Sequence, residues 1–180
     1  KTTVRSYRAD HKVDSSDIEA VLDAISKSSR PCIYAGGGII SSGGSASLKK
    51  FAESYNIPVV TTLMGVGSFP EKNPLSLKWL GMHGSVAANN AANECDLRIA
   101  LGVRFDDRVT GPTATFAADA KIIHVDIDLS EINKNKYADI GILANVKDVL
   151  DALNKKPIKK DYKGWFKQVN AWKKKGMFSF

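Results

Sequence analysis

The feature that most constrains this chain is the recurrence of short runs that are mostly apolar on both faces. Cys32-Ile33-Tyr34-Ala35, Ile57-Pro58-Val59-Val60, Asp96-Leu97-Arg98-Ile99-Ala100-Leu101, Lys121 to Val125 and Ile140-Gly141-Ile142-Leu143 all have this character. A strand apolar on both faces belongs in a parallel sheet with helices over each side. The segments between the runs supply those helices. Ser15-Ser16-Asp17 offers a cap before Ile18, Val21, Leu22 and Ile25, which recur at helical spacing until Pro31. Further helices are expected from Ser45 to Tyr55, with Leu48, Phe51 and Ala52 on one face, from Ser85 to Asn93, and from Val146 to Leu153. Residues 63–83 read as a long loop broken by Gly65, Gly67, Pro70, Pro74 and Gly81. Right-handed crossovers then make an α/β domain with a doubly wound, mostly parallel sheet of about five or six strands and helices on both faces.

Composition narrows the class. A length of 180 residues with 43% hydrophobic and 25% charged side chains suits one globular domain. No run approaches the roughly 18 apolar residues of a membrane-spanning helix, and residues 1–14 contain no apolar signal core. Cys32 and Cys95 sit in apolar runs with no partner at metal spacing, which reads as two small buried hydrophobes in a reducing, cytoplasmic setting. The net charge of +7 resides in the tail: residues 155–180 hold nine lysines against Asp161, whereas residues 1–154 hold 17 basic against 18 acidic residues. A lysine run interleaved with Trp165, Phe166 and Trp172 can bind nucleic acid by phosphate contact and stacking. The alternative, preferred here, is an amphipathic linker whose aromatic side chains face a neighbouring domain. The expected organisation is an entry segment and first helix over 1–29, a nucleotide-binding domain over 30–155 and a basic linker over 156–180, with neither nucleic acid nor membrane as partner.

Ligands of doubly wound sheets lie beyond the carboxyl ends of the strands, and the unusual residues of this chain fall there. Gly36-Gly37-Gly38 follows one strand and opens toward a helix, as phosphate-contacting glycines do, although strand-to-helix glycines also serve turns alone. The G-x-G-x-x-G fingerprint fails, because Ser41 holds its third glycine position and the next strand ends in Thr61-Thr62 rather than an acid. A nicotinamide-binding Rossmann domain is therefore disfavoured. Gly102-Val103-Arg104-Phe105-Asp106-Asp107-Arg108-Val109-Thr110-Gly111 packs two arginines and two aspartates into five positions. Such a set holds a phosphate or carboxylate in a guanidinium fork, or pairs with itself at the surface. In His124-Val125-Asp126-Ile127-Asp128, an acid at the strand end suits a ribose hydroxyl pair, but Asp128, before Leu129-Ser130, equally suits the cap of a following helix, and His124 with these aspartates makes no convincing metal set. Thr62-Leu63-Met64-Gly65 and Leu80-Gly81-Met82-His83-Gly84 place methionines and glycines where a flat heteroaromatic ring could lie, or where loops simply pack. His83 has no nucleophilic or carboxylate partner in sequence and is given no catalytic role.

Taken in order, these pieces closely resemble the central domain of the acetolactate synthase (acetohydroxyacid synthase) large-subunit family, over roughly residues 30–155. The run Gly102–Gly111 carries most of that likeness. The resemblance implies a thiamin-diphosphate carboligase that joins two 2-oxoacids, pyruvate with pyruvate or 2-oxobutyrate, with loss of CO2, in isoleucine, valine and leucine biosynthesis. It implies that this domain binds FAD in extended form, through Gly36, Gly37 and Gly38; Thr62, Leu63 and Met64; Leu80, Gly81, Met82 and His83; Gly102, Val103, Arg104, Phe105 and Asp106; Asp126 and Ile127; and Asn145, where the family often has an aspartate. Arg108 corresponds to the arginine that holds the acceptor carboxylate, with Asp107 beside it. Thiamin diphosphate and Mg2+ belong to domains on either side, and no Gly-Asp-Gly occurs in these 180 residues, so the chain alone is expected to be inactive. A homodimer or homotetramer of catalytic subunits, with or without a regulatory small subunit, is the implied assembly. The alternatives are the corresponding domain of another thiamin-diphosphate enzyme and a freestanding nucleotide-binding module.

Overall fold

The computed structural model describes residues 12–105 and 120–175. Its centre is a six-stranded sheet in the order β3-β2-β1-β4-β5-β6, with every pairing parallel. The strands are β1 (Pro31–Ala35), β2 (Val59–Thr61), β3 (Ser76–Trp79), β4 (Leu97–Leu101), β5 (Lys121–Asp126) and β6 (Ile140–Leu143). Every residue of β1 and β4 is buried, as strands covered on both faces must be. The expected doubly wound sheet is thus present. Its order is the one in which dinucleotide-binding folds reverse direction between β1 and β4, opening a ligand position at that switch point.

The helices are α1 (Ser15–Lys27), α2 (Gly37–Ser41), α3 (Ser45–Tyr55), α4 (Val86–Glu94), α5 (Val146–Leu153) and α6 (Lys163–Lys175). α1 and α3 both pack on α5, while α4 packs against α6. The first group is pinned by side chains as well as by apolar contact: Tyr55 Oη donates to the carbonyls of Leu153 (2.8 Å) and Lys156 (2.7 Å), and Asn154 Nδ2 donates to Ser47 O. α1 contributes Ile18, Val21, Ala24 and Ile25 to the common core. Among the described residues no helix is long and apolar enough to cross a membrane.

Four details differ from the sequence reading. The α1 cap is Asp14, which accepts from Ser16 N, one residue ahead of the expected Ser-Ser-Asp run. The second strand begins two residues late, at Val59, with the Pro58 carbonyl accepting from Ile33 N ahead of it. The supposed loop over 63–83 contains a 3-10 turn at Leu63–Gly65 and the edge strand β3. β3 is short, carries Lys78 at φ +68° and pairs with a register shift; the alternation Leu75-Ser76-Leu77-Lys78-Trp79 marks it in the sequence, but the flanking prolines and glycines favoured a loop there. The fourth concerns the basic tail, whose aromatic side chains meet this domain itself. Trp165 is buried, with its indole N–H donating to Pro31 O at 3.0 Å, and it meets Trp172 edge-on at 5.7 Å.

At the amino edge, Asp96 fastens the turn between α1 and β1 to β4. Its carboxylate accepts from the Ser28 hydroxyl and from the amides of Ser29 (2.8 Å) and Arg30 (2.9 Å). Burial pushes its pKa upward, but these hydrogen bonds outweigh that and hold the group below its ordinary value. A carboxyl whose folded pKa is depressed stabilises the fold above its unfolded pKa and loses that contribution as pH falls through the folded one. Asp96→Asn is expected to cost on the order of 2–4 kcal/mol at pH 7, from hydrogen bonds to a charged group. The deficit should shrink toward pH 3, which denaturant melts at both pH values would read.

Candidate functional site

The carboxyl ends of all six strands form one edge, and the residues singled out in the sequence occupy it in spatial order. Leu80–His83 follow β3, Thr62–Met64 follow β2, Gly36–Gly38 follow β1, Gly102–Phe105 follow β4, Asp126 and Ile127 close β5, and Asn145 follows β6. Six strand ends at the usual inter-strand spacing make a row about 24 Å long. Asp106, Asp107 and Arg108 lie outside the described residues.

At the switch point the two glycine loops touch. The Gly36 amide donates to Leu101 O (3.0 Å) and the Gly38 amide to Gly102 O (3.2 Å). A Cβ on Gly36 would lie 2.1 Å from Gly102 O, and one on Gly38 would lie 2.6 Å from Gly102 Cα. Gly102 itself stands at φ +59°, where glycine is at home. Two of the three consecutive glycines therefore have a packing reason. The Gly37 amide has no acceptor among the described residues, and it opens α2 beside Met64, whose Cβ lies 3.4 Å from where a Gly37 Cβ would be.

On the β2–β3 side the edge is apolar and uncovered. Leu63 is 72% exposed, Met64 74% and Met82 91%, and adjacent apolar side chains left open in this way mark a contact surface. Their backbones are nonetheless fixed. Thr62 Oγ1 accepts from Gly65 N (2.9 Å), and Leu80 N donates to Thr61 O (3.1 Å). His83 is exposed.

On the β4–β5 side the edge is polar and partly buried. His124 is fully buried, and its Nε2 lies 2.7 Å from Val103 O. A carbonyl can only accept, so Nε2 carries the proton. Burial lowers the His124 pKa, against the opposing effects of the Val103 hydrogen bond and the Asp126 and Glu131 charges, so the ring is neutral at pH 7. It also meets Phe105 edge-on at 5.1 Å, and Phe105 in turn packs on Tyr34 at 5.7 Å. His124 is thus a support for the 102–105 turn. Asp126 accepts from Asp128 N (2.9 Å), and burial raises its carboxyl above the ordinary range despite that bond. Asp128 caps a turn over residues 129–134 and not the helix expected after it, accepting from the amide and hydroxyl of Ser130. Among the described residues no three His, Cys, Asp or Glu side chains gather as a metal site.

The placement separates side-chain from backbone roles. Leu80, Val103 and Phe105 have buried side chains, so they offer a ligand on this edge only main-chain groups. Arg104 is exposed, and its carbonyl accepts from Asn135 Nδ2 (3.0 Å). Asn145 caps α5, its Oδ1 accepting from Lys147 N (2.9 Å). Asn89, absent from the sequence-derived set, also shapes the edge: its amide Oδ1 and Nδ2 both pair with Gly81, each at 3.0 Å. An asparagine inside a helix of alanines was the only sign of it in the sequence.

Residues 18–153 match the family model described as the thiamine pyrophosphate enzyme central domain. The chain is 54% identical over 137 residues to acetolactate synthase 1, chloroplastic, of Zea mays, covering 76% of this chain and 21% of that protein. It is 44% identical over 173 residues to acetolactate synthase, chloroplastic, of Arabidopsis thaliana, covering 93% and 26% respectively. With the acetolactate synthase large subunit of Buchnera aphidicola subsp. Schlechtendalia chinensis the identity is 40% over 187 residues, covering 100% of this chain and 33% of that one. The chain thus spans between a fifth and a third of the length of these relatives.

Proposed function

Because this chain belongs to the thiamine pyrophosphate enzyme central-domain family, we propose that it serves as the FAD-binding domain of an acetolactate synthase catalytic subunit. The observation that carries this reading is the single edge: six parallel strand ends, in dinucleotide-binding order, bearing the glycines, methionines and acid that an extended dinucleotide uses. The fit is chemical as well as positional. The Gly37 amide, at a helix start beside the β1–β4 switch point, suits a phosphate oxygen. Asp126, buried at the end of β5, suits ribose hydroxyls, with Asn145 Nδ2 as a further donor. Leu63, Met64 and Met82 suit the faces of a flat ring, and covering each stabilises the complex by roughly 1.5–3 kcal/mol.

FAD in this setting is a structural element, since condensing two 2-oxoacids with loss of CO2 transfers no net electrons. This chain's residues bind and orient it and keep water from the apolar end. Arg108 would hold the acceptor carboxylate by a bidentate fork, with Asp107 beside it, and Asp106 would join the FAD contacts. Thiamin diphosphate and Mg2+ would come from flanking domains, and the working site from a homodimer or homotetramer of catalytic subunits, with or without a regulatory subunit.

Titration with FAD, followed by quenching of flavin fluorescence, tests the reading in the chain and in the complete catalytic subunit. Saturable binding is expected, weakened about tenfold by Arg104→Ala and by Asp126→Asn, the loss of one charge-assisted contact each. Asp126→Asn should at the same time leave the apo fold equally or more stable at pH 7. A carboxyl whose folded pKa is raised loses stability as pH rises through that value, and the amide escapes that cost. Absence of binding in the complete subunit would reject the assignment.

A further inference from the structure

We propose that Asn89 is a positioning residue for this edge, acting through Gly81 to hold the Leu80–Gly84 turn in the shape that receives the flavin ring. The inference rests on the FAD reading above. Asn89 lies in the middle of α4, where asparagine is a poor helix former. Its side chain is spent on the turn: Oδ1 accepts from Gly81 N and Nδ2 donates to Gly81 O, both at 3.0 Å, and Nδ2 also donates to Ser85 O at 3.2 Å. Both backbone polar groups of one residue are thereby closed into a ring by one side chain. Gly81 stands at φ +111°, a conformation that side-chain-bearing residues rarely adopt, so the clamp holds the turn at a bend that only glycine permits cheaply.

Ser85 completes the attachment. Its hydroxyl donates to Leu77 O (2.6 Å) and accepts from Ala88 N (2.9 Å), and its amide donates to Trp79 O (3.0 Å). Gly84 fits tightly beneath, since a Cβ there would lie 2.4 Å from Trp79 O. The turn is therefore rigid at its base while its tip, Met82, is 91% exposed. A rigid base under an apolar tip is what a binding surface needs, because the order of the loop is then established before the ligand arrives.

The test compares Asn89→Asp and Asn89→Ala with Asn90→Asp, which adds the same charge one position along the helix. Asn89→Asp keeps the size and the acceptor for Gly81 N but loses both donations and sets a carboxylate against two carbonyls. FAD affinity, measured well below the melting temperature, should fall tenfold or more for both Asn89 variants. The visible circular dichroism of the bound flavin should change, which a loss of stability alone does not produce. Asn90→Asp should leave both unchanged. Wild-type affinity with an unaltered flavin dichroism in the Asn89 variants would overturn the proposal alone, whereas no FAD binding by the wild-type complete subunit would overturn it together with the FAD reading. The wild-type chain gives a check that needs no variant. The Gly81 amide should exchange slowly in the absence of flavin, and exchange at the rate of an open loop would also overturn the clamp.

Discussion

Gly36→Ala is expected to destabilise the folded chain by on the order of 3 kcal/mol or more and to abolish FAD binding. The reason is space alone, since Gly36 has ordinary extended backbone angles (φ −107°, ψ −171°). Its added Cβ would sit 2.1 Å from Gly102 O and 2.7 Å from Val103 Cγ1. Relief requires the ends of β1 and β4 to part, which breaks the Gly36 N to Leu101 O and Gly38 N to Gly102 O hydrogen bonds. Overpacking of this kind costs about 1–3 kcal/mol, and each lost backbone hydrogen bond adds about 1 kcal/mol. Against a total stability of roughly 5–15 kcal/mol, that is a large share. Gly37→Ala is the matched control. Its Cβ would meet Met64 at 3.4 Å, an ordinary contact, and alanine is the better helix former, so its melting temperature should stay near that of the unmodified chain. Equal melting temperatures for the two variants would contradict the close approach of the loops.

Trp165→Ala is expected to cost about 3–5 kcal/mol, the usual effect of emptying a large aromatic site. Trp165 is 3% exposed, and Tyr162 and Val169, at 2% and 0%, share its buried face. The substitution also strips Pro31 O of the indole N–H. FAD affinity measured below the melting temperature should not change, because α6 packs on α4 and on the start of β1, at the other end of the strands from the candidate site. A linker without a role in the domain would instead give a melting temperature within about 1 °C of the unmodified chain. The same packing means that deleting residues 155–180 would uncover core surface, so loss of any activity on deletion would not by itself implicate the lysines in nucleic-acid binding.

What the sequence made legible follows from which interactions have a pattern. β1 is an apolar run, β4 and β5 are mostly apolar with Arg98 and His124 inside them, and α1, α3 and α5 repeat apolar residues at helical spacing, so their existence and order could be read. β3 was harder: Leu75-Ser76-Leu77-Lys78-Trp79 does alternate, but the run is short and sits between Pro70, Pro74 and Gly81, and what holds it, pairing with β2 and the Ser85 hydroxyl on Leu77 O, lies outside the run. The candidate site was legible as a set because its glycines and methionines stand at strand ends, where neither helix nor strand chemistry calls for them. Asn89 and Asp96 act across gaps in the chain, Asn89 on Gly81 and Asp96 on residues 28–30, and a lone polar residue does not announce its distant partner. The packing role of α6 was hidden for a related reason. Trp165 and Val169 give an amphipathic face, and an amphipathic face does not say which surface covers it.

The most direct test of the central claim, that FAD lies along the six strand ends, is hydrogen exchange of the backbone amides with and without saturating FAD. Protection is expected together at residues 37–38, 62–65, 81–84, 102–105 and 126–127, with no change at the amino edge around residues 28–31 or in α6. Protection confined to α6 and the amino edge, with the strand-end loops unaltered, would contradict it.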